Sequence, residues 1–169
     1  SYLAEVMYRS GVVGQAIAVA QSIVDSGWQA EAVSLLCHEL VETGDTRRAA
    51  ATAQSVPTVM NRDPVLRRLV VALAEAGDVD SATALIPAIT DADHRGWAWA
   101  RTASTLAANG HADHAAQFLD RAESVLRSAG NPEDLDWTST GVAAALVALD
   151  RIDEAETYFQ ALQVMIGRS

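Results

Sequence analysis

Apolar positions along the chain recur with the spacing of amphipathic helices, and these helices fall in pairs at a fixed interval. The clearest pair is Leu69–Ile89, LVVALAEAGDVDSATALIPAI. Its first half carries helical apolar spacing and Gly77 stops it; Asp78 and Asp80 then offer caps to a second helix that opens on Ala82. The punctuation repeats. Gly11, Gly44, Gly77 and Gly110 stand 33 residues apart, and Ala16, Ala49, Ala82 and Ala115 each follow their Gly by five. Met7, Leu40, Leu73 and Leu106 each precede it by four, and a fifth copy keeps the frame with Leu146, Asp150 in the Gly place, and Ala155. Three columns in one register predict a helical repeat array, with units at about 1–26, 27–59, 60–92, 93–132 and 133–169.

Local signals place the turns. Repeat one enters part-way through its first helix and is expected to turn at Gly11. Repeat two runs from about Trp28 to Thr43, turns at Gly44-Asp45 and returns to Val56, where Pro57 cannot continue the backbone bonding. Asp63-Pro64 reads as a cap followed by proline at a first helical position, so repeat three is expected to begin there. Pro87 predicts a kink or early end near Leu85. In repeat four, from His94, the return helix looks longer than the others. Gly110 to Asp150 exceeds the period by seven residues, and the excess falls at Ser128–Asp134, a loop composition.

The residues 11, 8 and 4 places before each Gly form an i, i+3, i+7 stripe: Val33, Leu36 and Leu40; Leu66, Leu69 and Leu73; Trp99, Thr102 and Leu106. That stripe is the candidate core, and the Ala column lets the two helices of a pair approach closely. One hairpin is too small to bury its own faces, so the units must stack. The expected fold is all-α: a single domain over 1–169, about five antiparallel helix pairs wound as a right-handed α-solenoid. The start inside a helix, the missing initiator Met and the lack of a polar capping helix suggest a segment of a longer chain.

Composition narrows the partners. Net charge is −10 with pI ≈ 4.6, and all twelve basic residues are Arg. Phosphate affinity rests on Lys/Arg contacts, so general binding to nucleic acid or to an anionic membrane is disfavoured. Cys37 stands alone, inside a helical pattern, which forbids an intrachain disulfide and suggests a buried small hydrophobe. No apolar run approaches the ~20 residues of a membrane-spanning helix, and a cytoplasmic location is expected.

Chemistry-bearing motifs are sparse. The sequence contains no phosphate loop, no Gly-x-Ser-x-Gly elbow, no Cys pair and no His-Glu-x-x-His helix. His111, Asp113 and His114 crowd the Gly110 turn, where caps explain them better than a metal. Asp91 with Asp93, and Glu133, Asp134 and Asp136, read as solvated caps between repeats. The expectation is therefore no enzyme, with no catalytic, cofactor or metal site.

Helix pairs with a Gly-Asp turn and Ala five places later, as in Gly77-Asp78-Val79-Asp80-Ser81-Ala82, resemble tetratricopeptide repeats. Trp99 and Phe159 fall where that family often has aromatic residues. The period is 33 rather than the family's 34, and its Tyr column is Met/Leu here. The resemblance implies a concave groove at places 13, 10, 6 and 3 before each turn. Those places hold Glu5 and Tyr8; Glu31, Ser34, His38 and Val41; Pro64, Arg67, Val71 and Ala74. In the last two repeats they hold Trp97, Ala100, Ser104 and Ala107, then Trp137, Thr140, Ala144 and Val147. The implied function is a scaffold or recognition module for a protein or peptide partner, with Tyr8, His38, Arg67, Trp97, Ser104, Trp137 and Thr140 lining the groove. Arg67 beside the two Trp side chains would suit a partner with an apolar anchor and a nearby carboxylate. Trp97 and Trp137 serve either as such anchors or as packing between repeats. The alternative function is a structural or self-association segment of a larger regulator or enzyme, stacking through open solenoid ends. A closed small-molecule pocket and RNA recognition are further readings, the last opposed by charge.

Overall fold

A computed structural model describes residues 2–129 and 135–166, with side chains for 11–129 and 135–160. Among the described residues the protein is all-α, without strands. The helices are α1 (Tyr2–Ser22), α2 (Ser26–Glu42), α3 (Thr46–Gln54), α4 (Val59–Glu75), α5 (Val79–Leu85), α6 (Ala92–Ala108), α7 (Ala112–Ser128), α8 (Asp136–Ala148) and α9 (Ile152–Ile166). Two compact units divide the chain, Ser1–Leu69 and Val70–Ser169.

Four of the five expected turns share one hydrogen-bond pattern. The N–H groups of Asp45, Asp78, His111 and Arg151 donate to the carbonyls of Leu40, Leu73, Leu106 and Leu146 at 2.7–2.9 Å. The N–H groups of Gly44, Gly77, Gly110 and Asp150 donate to the carbonyls of Val41, Ala74, Ala107 and Val147 at 2.9–3.1 Å. This is the Schellman closure, which needs a left-handed residue between the bonds. Gly44, Gly77 and Gly110 supply it with φ of 80°, 83° and 82°, and Asp150 adopts φ 59° in the same place. The column of Leu four places before each turn thus has two duties: its carbonyls close the helix and its side chains are buried. Asp45 and Asp78 close one helix with their amides and cap the next with their carboxylates, which accept the N–H groups of Arg48 and Ser81.

Gly11 does not turn. α1 runs through it unbroken, and its φ is not in the left-handed region. The residue after Gly11 is Val12, which cannot cap a following helix as Asp45 and Asp78 do, and an unturned Gly costs a helix only about 1 kcal/mol. Repeat three also departs from expectation. α4 begins at Val59, so Pro64 lies inside it. Thr58 starts the helix instead, its carbonyl accepting the N–H groups of Asn61 and Arg62. Proline lacks only the one amide hydrogen bond that reaches back toward the first turn. Pro87 acts as the sequence suggests: α5 stops at Leu85 and a 3₁₀ turn covers Ile86–Ala88. α7 has 17 residues against 9 in α3 and 7 in α5. Most of the predicted inter-repeat loop, residues 130–134, lies outside the described residues.

In the first unit α2 packs on α1 and α3, and Val33, Cys37, Leu40, Ala49 and Ala53 are buried. In the second unit α6 packs on α7 and α8, and α8 on α7 and α9. Of the core stripe and the Ala column, Leu73, Ala82, Trp99, Thr102, Leu106, Ala115, Val142, Leu146 and Ala155 are buried, whereas Ala16 and Leu36 of the first unit are half-buried. Trp99 meets Phe118 at 5.3 Å between ring centroids, and the Arg121 guanidinium stands 4.9 Å above the Trp99 ring. Among the described residues no helix is long and apolar enough to cross a membrane.

Candidate functional site

α6 and α8 approach closely because each offers a glycine to the other. A Cβ on Gly96 would overlap the Thr138 hydroxyl and would lie 2.5 Å from its Cγ2 and 3.0 Å from its Cβ. A Cβ on Gly141 would lie 2.9 Å from Ala100 Cβ. Two missing methyl groups therefore set the helix separation, and Thr138 and Ala100 fill the gaps.

The start of α8 is held from α6. Leu135, at the cap position of α8, offers no side-chain hydrogen bond. Asp93 replaces the missing cap: Oδ1 accepts the Thr138 N–H and hydroxyl, each at 2.7 Å, and Oδ2 accepts the Trp137 N–H at 3.2 Å. The Thr138 hydroxyl also lies 3.0 Å from the Asp93 carbonyl, so its single proton has two acceptors. A carboxylate at a helix N-terminus gains from the exposed amides and the helix dipole. Asp91 caps its own helix by accepting the His94 N–H at 2.8 Å. The Asp91/Asp93 pair is thus two caps, one local and one for a helix more than forty residues away.

Aromatic side chains sit on this frame. The rings of His94 and Trp137 are 4.9 Å apart at 53°. Trp97, one turn after His94, is half-buried, with Cδ1 3.5 Å from where a Gly141 Cβ would stand. Trp97 therefore belongs partly to the α6–α8 contact, whereas Trp137 is 47% exposed. The same contrast runs along both helices. On α6, Ala100 is fully buried and Ser104 is 9% exposed, its Oγ without a hydrogen-bond partner. On α8 the equivalent places, Thr140 and Ala144, are exposed, and so is Val147 at 48%. Trp137, Thr140, Ala144 and Val147 share one face at helical spacing, an apolar stripe open to solvent.

The other candidate residues lie in the first unit. His38 is exposed, with Nε2 4.0 Å from Glu42, and Arg67 is half-buried. Tyr8 lies outside the described side chains. Glu31 and Ser34, groove positions of α2, are met by Arg68 at 2.7 and 3.4 Å. The structure thus brings Trp97, Ser104, Trp137 and Thr140 onto α6 and α8, and leaves Tyr8, His38 and Arg67 in another unit.

Sequence reasoning missed Asp93 as a cap in trans, His94 as a ring partner, and Arg68. One signal pointed to the first: Gly96-x-x-x-Ala100 offers a flat helix face. Elsewhere, the His111 and His114 rings are 6.5 Å apart, and among the described residues no three metal-binding side chains group together. Burial pushes the Cys37 thiol up to about 12, so it stays protonated at neutral pH. Compared with protein-family models, curated proteins and solved structures, the chain matches none of them.

Proposed function

We propose that this chain is a recognition module rather than an enzyme, a tetratricopeptide-like right-handed solenoid that binds a protein or peptide partner. The observation that carries the reading is the stripe Trp137, Thr140, Ala144 and Val147. Its α6 counterparts Ala100 and Ser104 are covered, whereas α8 presents the same places to solvent with two large apolar side chains. A short apolar stripe with a Trp at one end suits the anchors of an amphipathic helix or an extended peptide. Trp137 is the anchor in this reading. Trp97 is the wall behind it, since its indole is already engaged against α8. Arg67 belongs to the other unit, so the reading rests on the α8 stripe itself.

The test is a peptide selected from a random library on the immobilised protein, then titrated against wild type and Trp137→Ala. The variant should bind about 1–3 kcal/mol more weakly, roughly tenfold to a hundredfold, with helicity unchanged. Equal affinity would remove Trp137 from the site. The same stripe also supports self-association. A sedimentation series in which mass rises with concentration in wild type and not in Trp137→Ala would replace the peptide reading with that one.

A further inference from the structure

We propose that Asp93 is the positioning residue of this surface: it fixes where α8 begins and holds Trp137 against His94. The inference rests on the recognition reading for its purpose and on geometry for its content. α8 lacks a cap of its own at Leu135. Three protons at its start, the Trp137 N–H, the Thr138 N–H and the Thr138 hydroxyl, are aimed instead at one carboxylate on α6. One of those donors is the backbone amide of Trp137 itself, so the carboxylate acts directly at the residue that carries the exposed indole.

Two features around it make the placement specific. Thr138 is fully buried and enters the space left by Gly96, so α8 cannot slide along α6 without driving the Thr138 side chain into the α6 backbone. His94 follows Asp93 directly, and its ring meets Trp137 in a tilted contact, so the cap and the ring contact come from adjacent residues of one helical turn. Asp91 holds that turn in place by capping the His94 amide. The chain Asp91–His94–Asp93–Trp137 thus sets an exposed aromatic side chain from a helix distant in sequence. An anchor held this way keeps less of the conformational freedom it would otherwise lose on binding.

The two carboxylate oxygens have different jobs, which gives the test its resolution. Asp93→Ala removes both acceptors. Asp93→Asn keeps an oxygen for Thr138 and turns an N–H₂ group toward the Trp137 amide. Backbone amide exchange followed by NMR should show Trp137 and Thr138 exchanging at least tenfold faster in Asp93→Ala. The ring-current shifts linking His94 and Trp137 should fall away, while Phe118 and Leu119 of α7 keep their protection. In Asp93→Asn, Thr138 should regain protection and Trp137 should not. Wild-type exchange at both amides in Asp93→Ala overturns the proposal. So does a uniform acceleration of α6, α7 and α8 in both variants, which would make Asp93 a general stabiliser. No ligand enters this experiment, so a failure of the peptide reading leaves its result intact.

Discussion

Replacing Gly96 by Ala tests the account of how α6 and α8 meet, because two opposed effects can be weighed. In a helix interior the change gains roughly 1 kcal/mol from the lower chain entropy of Ala. Against this stands the new methyl group, 2.5 Å from Thr138 Cγ2 and 3.0 Å from its Cβ. Thr138 is β-branched and fully buried, so it has no alternative rotamer space. Overpacking of this kind costs about 1–3 kcal/mol. Displacing Thr138 also strains its hydrogen bonds to the Asp93 carboxylate, each worth about 1.5–3 kcal/mol. The net expectation is a loss of about 2–4 kcal/mol, or a fall in Tm of roughly 5–15 °C for a chain of this size. Gly14→Ala is the matched control. Gly14 lies inside α1, is exposed, and has nothing within 4 Å of its Cβ position, so the same mutation should stabilise by about 0.5–1 kcal/mol. Urea unfolding followed by circular dichroism reads both. Equal stabilisation at the two sites would refute the close approach of α6 and α8.

Ala82, fully buried behind the Gly77 turn, should lose about 1–3 kcal/mol on change to Leu. Glu75→Gln, at an exposed ion pair with Arg101, should stay within about 0.5 kcal/mol in the same urea titration. Asp150→Val should cost about 1–2 kcal/mol because a β-branched residue resists φ 59°, and Asp150→Gly should be neutral or gain up to about 1 kcal/mol, read from the urea midpoint. Cys37 has an alkaline signature. Its thiol, raised by burial from 9.0 to about 12, keeps its proton in the folded state where the unfolded chain loses it. That contribution is fully present below pH 9 and is lost as pH climbs toward 12, by at most about 1.4 kcal/mol per pH unit. The stability difference between wild type and Cys37→Ala should therefore shrink between pH 8 and pH 10, and a constant difference would contradict the assigned burial.

The repeat frame was legible because its signals are chemical and local. A left-handed residue and an Ala five places later mark the turns at Gly44, Gly77, Gly110 and Asp150, and at the first two an aspartate also caps the next helix. Gly11 shares the spacing, and the helix passes through it. The spacing alone was therefore not the cause, and neither was the cap, since Gly110 turns before His111, which makes no side-chain cap. The start of α4 was misplaced because proline is merely tolerated in an early turn, and Thr58 was a less conspicuous beginning than Asp63-Pro64. Trp97 and Trp137 were found from their place in the frame. Their unlike surroundings were not, since these depend on Gly96, Gly141 and Asp93, three residues whose partners lie across a helix interface. Side-chain reach across such an interface leaves no periodic trace in one sequence.

The central claim is that α8 presents a recognition stripe, and chemical-shift mapping tests it most directly. With ¹⁵N-labelled protein and the library-selected peptide, the account predicts shifts concentrated at Trp137, Thr140, Ala144 and Val147, including the Trp137 indole N–H. Smaller shifts are expected at His94 and Trp97, and none on the outer faces of α7 and α9. Saturable binding whose shifts centre on α7, α9 or the first unit, with the α8 stripe unmoved, would contradict it.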